Sequence, residues 1–98
     1  MPYIRKEDRE KLDKYIAIMD EAVSEDLESE ESANTVKGNY NYAITRLMHL
    51  YIKRFGLNYS NLSNVNGILN DVIAEFNRKV VGPYEDKKIL ENGDINVL

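Results

Sequence analysis

The sequence contains no cysteine, no tryptophan and no glutamine, and only one histidine and two prolines in 98 residues. Without cysteine there is no disulfide framework, no thiolate nucleophile and no cysteine-based zinc or iron–sulfur site. With His49 alone, a multi-histidine metal centre cannot come from a single chain. No glycine-rich phosphate loop, HExxH pair or EF-hand spacing occurs. No stretch approaches the roughly 20 nearly uninterrupted apolar residues of a membrane span. The first residues turn charged by Arg5, without the apolar stretch and cleavage site of a signal peptide, and the last offer no prenylated cysteine. The expected location is therefore the cytoplasm of whatever cell expresses the chain, with no membrane partner and no cofactor.

What is present is a chain that is 43% hydrophobic and 31% charged, with a formal charge of −4. That balance is too apolar for a wholly disordered protein and predicts one small folded domain over residues 1–98. The charge is strongly segregated. Residues 20–31 carry seven acidic side chains (Asp20, Glu21, Glu25, Asp26, Glu28, Glu30, Glu31) and no basic one. Between residues 32 and 84 the sign reverses, with six basic side chains against Asp71 and Glu75.

Hydrophobic periodicity predicts an all-α fold. Leu12, Tyr15, Ile16, Met19, Val23 and Leu27 recur at three- and four-residue steps, the mark of an amphipathic helix from about Glu7 to Leu27. A mobile acidic loop is expected over 24–38, where like charges crowd together with little apolar payload. A second helix starts near Asn39, with Asn34, Thr35 or Asn39 as cap, and ends at Phe55 before Gly56. A third, capped by Ser60 or Asn61, carries Leu62, Val65, Leu69, Val72 and Phe76 and runs to about Val81. Gly82-Pro83 breaks or kinks it, and a short helix over Tyr84–Leu90 precedes a tail at 94–98. The short link between helices 2 and 3 predicts an antiparallel hairpin, with helix 1 packed on it. So few helices leave an apolar strip partly uncovered, so a homo-oligomer, a dimer or higher, is expected.

The residues that carry chemistry lie on helix 2. Tyr42, Arg46, His49 and Lys53 recur at four-, three- and four-residue steps and combine positive charge with a phenol and an imidazole, suited to a phosphate or other anion. Arg78 and Tyr84 are expected to join them as ligand-binding residues. The plainer alternative makes the stripe an ordinary polar face, His49 one of its members, and Arg78 and Lys79 counterparts of a helix C-terminal dipole. The carboxylates of Glu28, Glu30 and Glu31 lack calcium-loop spacing and read as a solvated charge run. The negative net charge and the absence of a nucleic-acid-binding module argue against nucleic acid as a partner.

Several phrases carry a resemblance: Met1-Pro2-Tyr3-Ile4 with Glu7-Asp8-Arg9, Asn41-Tyr42-x-Ile44-Thr45-Arg46-Leu47, Glu75-Phe76-x-Arg78-x-Val80-Val81, and Pro83-Tyr84-Glu85-Asp86-Lys87-Lys88-Ile89-x-Glu91-Asn92-Gly93-Asp94. Together they resemble a family of short, uncharacterised proteins from phages, prophages and metagenomes. That resemblance implies a source class rather than a reaction. The expectation is a non-catalytic phage or mobile-element binding protein, with a counter-defence role, that sequesters a small anionic nucleotide-like ligand as an oligomer. A protein–protein inhibitor that blocks a host protein is the alternative, and a small virion structural or assembly protein a further one.

Overall fold

The computed structural model of the protein describes residues 2–25 and 30–96, with residues 30–33 described by their backbone alone. It contains helices α1 (Lys6–Val23), α2 (Glu30–Phe55), α3 (Tyr59–Phe76) and α4 (Gly82–Asn92), with a π-helical turn at Asn77–Val81 between the last two. No strand occurs among the described residues, so the fold is all-α. The chain divides into two compact units, Tyr3–Val65 and one built on Asn66 and the residues after it.

In the first unit, α1 opens with Glu7 and Asp8 in its first turn, where negative charge meets the positive end of the helix dipole. It closes at Val23 because both the N–H and the hydroxyl of Ser24 donate to the Asp20 carbonyl, at 3.1 and 2.6 Å. The helix thus ends four residues before the expected Leu27, which itself lies outside the described residues.

Helix α2 begins at Glu30, nine residues before Asn39, so 30–38 is helical where a loop was expected. Val36, half-buried, sits four residues before Tyr40 and seven before Ala43, which extends the apolar stripe by one turn. Asn39 lies inside the helix rather than capping it, and its side-chain amide donates to the Val23 carbonyl at 3.2 Å. The other residues of the expected loop, 26–29, lie outside the described residues.

These contacts fix how α1 and α2 pack. Tyr40 donates its phenolic hydrogen to Asp20, one helical turn before Val23. Further along, Leu12 and Ile16 of α1 face Ile44 and Leu47 of α2 across one groove. The ends of α1 and α2 therefore match in antiparallel order. Val23, 8% exposed, is the one buried apolar side chain among the described residues.

The turn after α2 is built by Gly56 and two asparagines. Gly56 adopts φ 108°, a left-handed conformation that a side chain disfavours, and its N–H closes the helix onto Ile52 at 2.7 Å. The cap of α3 is Asn58, not Ser60 or Asn61: its side-chain oxygen accepts the Asn61 N–H at 2.9 Å. Asn61 instead turns its amide back to the carbonyls of Phe55 and Gly56, both at 2.9 Å. Between α2 and α3, Asn64 also donates to the Tyr51 hydroxyl at 3.4 Å.

In the second unit the helical path runs through Gly82-Pro83 instead of breaking there. Proline has no N–H and its ring collides with the carbonyl four residues back, which an α-helix cannot absorb. The π-helical turn just before it widens the backbone by one residue, and the Gly82 N–H reaches Asn77 rather than Arg78. A side chain on Gly82 would place its Cβ 3.2 Å from the Asn77 carbonyl oxygen, which favours glycine at this tight crossing. The last helix then runs to Asn92, two residues beyond the expected Leu90. Residues 94–96 follow without helix, and the rest of the expected tail lies outside the described residues.

The Tyr40–Asp20 bond sets a pH dependence. The hydrogen bond to Asp20, with the neighbouring carboxylate charge, raises the Tyr40 pKa above its ordinary value of 10.0. The bond needs the neutral phenol, so its contribution to stability is complete below the ordinary pKa and vanishes as pH rises through the raised folded-state value. Tyr40→Phe is therefore expected to melt below the parent chain at about pH 8, and the gap to close as pH rises through the raised folded-state pKa of Tyr40, followed by circular dichroism melts of both proteins.

Candidate functional site

Helix geometry places Tyr42, Arg46, His49 and Lys53 within about 60° of one another around α2, at roughly 100° per residue. All four are exposed, Tyr42 at 66%. Among the described residues no carboxylate pairs with Arg46, His49 or Lys53; the ion pairs found there join Arg5 to Asp8, Arg78 to Glu75 and Lys88 to Glu91. The stripe thus offers its charge to solvent.

The four residues have unlike surroundings. Tyr42 and Arg46 stand at the rim of an open hollow of about 440 Å³, floored by apolar side chains such as Met19, Val23 and Leu50. His49 and Lys53 continue the stripe beyond it. In the last turn of α2, Lys53 and Arg54 meet the negative end of the helix dipole. A second, shallower surface lies on the other side of Tyr42, shared with Asn34, Lys37, Asn41 and Thr45. Lys37 is a basic residue of this helix that the sequence reading assigned to a loop. Val36 was the available signal, since it puts the segment in the period of α2.

Arg78 and Tyr84 belong to the other unit, and each has a partner there. The Arg78 guanidinium meets Glu75 through two contacts, at 2.8 and 3.4 Å, one turn back along the helix. The Tyr84 ring lies beneath the Lys88 ammonium, 5.5 Å from its centroid, in a cation–π contact. Lys88 in turn pairs with Glu91 at 3.1 Å.

No group of three acidic or imidazole side chains gathers as a metal site among the described residues. Glu28 lies outside them, as do the side chains of Glu30 and Glu31. No described helix is long and apolar enough to cross a membrane.

The geometry makes the stripe separable from the fold. Arg46→Ala and Lys53→Ala each remove an exposed side chain without an acidic partner among the described residues, so each is expected to change stability by no more than about 0.5 kcal/mol in urea titrations. A larger loss would mean that these side chains help to hold the helices together.

No curated protein and no solved structure matches the chain. A family model does, over residues 1–95: the chain belongs to the family described as Domain of unknown function (DUF6899).

Proposed function

We propose that the protein is a non-catalytic binding protein that works as an oligomer and sequesters a small anionic, nucleotide-like ligand. The observation that carries this reading is the exposed stripe on α2, where a guanidinium, an ammonium and an imidazole lie beside a phenol without a carboxylate partner among the described residues. Arg46 and Lys53 supply charge to phosphate oxygens, and Tyr42 gives a base a flat ring to stack on. The apolar floor next to Arg46 suits the non-ionic part of such a ligand. Sequestration needs stoichiometry rather than turnover, which fits a chain without an activity motif. A phage or mobile-element source, with a counter-defence role, is the biological setting that the sequence resemblance supports.

A second reading has its own observation. The open apolar groove between α1 and α2 is a surface on which a host protein could be blocked.

Thermal-shift titration with cyclic nucleotides and ADP-ribose derivatives tests the first reading. A ligand at 100 times its Kd stabilises the folded state by roughly 2.7 kcal/mol, a melting-temperature rise of several degrees in a chain this size. Arg46→Ala and His49→Ala are expected to abolish the rise. No shift at millimolar ligand overturns the anionic-ligand reading.

A further inference from the structure

We infer that a second copy of this chain closes the groove between α1 and α2, through a two-fold axis that crosses both helices. Each α1 then packs on the other copy's α1, and each α2 on the other α2, in antiparallel pairs that form a four-helix arrangement. The inference names the contact behind the oligomer of the proposed function and rests on that reading only for its oligomeric part.

The groove is large and apolar. It holds about 760 Å³ and is lined chiefly by Leu12, Tyr15, Ile16 and Met19 of α1 with Ile44 and Leu47 of α2. These six side chains remain 44–61% exposed. The chain as a whole presents 9013 Å² to solvent. A folded monomer of the same mass presents about 5,700 Å², which leaves an excess of roughly 3,300 Å². Permanent homodimers bury about 2,000–5,000 Å² in total, or about 1,000–2,500 Å² from each copy, which takes up a large part of this excess.

Charge decides the direction of the axis. At one end of the helix pair, where α1 finishes and α2 starts, the described side chains of Asp20, Glu21 and Glu25 outnumber Lys37. At the other end Arg5, Lys6, Arg9, Lys53 and Arg54 outnumber Glu7, Asp8 and Glu10. An axis along the helices would set acidic end on acidic end. An axis across them sets each acidic end against the basic end of the other copy, which is electrostatically favourable.

Sedimentation equilibrium of the full chain at micromolar concentrations is the first test, with an expected mass twice 11.3 kDa. Ile16→Glu, inside the groove, is expected to halve that mass. Ile18→Glu alters a residue of the same type and similar exposure, 60% against 58%, that does not line the groove, and should leave the mass unchanged. Because the chain has no cysteine, single cysteines report the axis without background and without destabilising charge. Ile16→Cys, near the axis, is expected to oxidise to a disulfide-linked pair by itself. Leu12→Cys should cross-link only when mixed with Met19→Cys.

A mass of one chain, or an oligomer unaffected by Ile16→Glu, overturns the proposed interface. Self-linking of Leu12→Cys with none in the mixture overturns the axis. Ligand binding is scored separately by thermal shift: a monomer that still binds removes the dimer and leaves the anionic-ligand reading, and a dimer without ligand does the reverse.

Discussion

The arrangement of the first unit depends on one limit: the amphipathic stripes of α1 and α2 cover one another only in part. Each helix brings an apolar stripe at the 3.6-residue period, and burial of such stripes stabilises a fold by roughly 25 cal/mol per Å² removed from water. Within the first unit, α1 and α2 cover part of one another and bury Val23. Leu47 and Leu50 remain about half exposed on α2, as do Leu12 and Ile16 on α1.

Polar contacts take over part of the work that a core normally does. The phenol of Tyr40 on Asp20 and the amide of Asn39 on the Val23 carbonyl hold one end of the α1–α2 pair in register. Asn58 and Asn61 fix the turn into α3 through its N-terminus and the last carbonyls of α2. Such bonds exchange partners with water on folding, so they set geometry more than they secure it. This division of labour suits a subunit whose helices are aligned before a further surface covers them.

Much of the helical content was legible because the apolar spacing is regular: Leu12 to Val23, Ala43 to Leu50 and Leu62 to Phe76 all keep three- and four-residue steps. The start of α2 was obscured by the acidic residues around 28–31, whose mutual repulsion reads as a loop, while Val36 gave the helical period only one further apolar point. Pro83 was misleading for another reason. Its effect on a regular helix is disruptive, and the remedy, a widened turn, depends on backbone hydrogen bonding that residue types do not encode. The four residues of the α2 stripe were legible as one face because they lie on one helix. That Arg78 and Tyr84 already hold Glu75 and Lys88 was less visible, since other pairings at helical spacing were open to the same residues.

The π-helical turn also acts as a phase adjuster. A regular α-helix rotates by about 100° at each residue, so a single extra residue accommodated without a break changes which side chains follow the stripe of α3 onto α4. Removing one residue between Asn77 and Val81 and restoring the regular helix would swing Tyr84, Lys88 and Ile89 around the axis together. The length of this short stretch thus acts as an angular setting for the C-terminal helix, one that evolution can change by a single codon without altering any side chain that the helix displays.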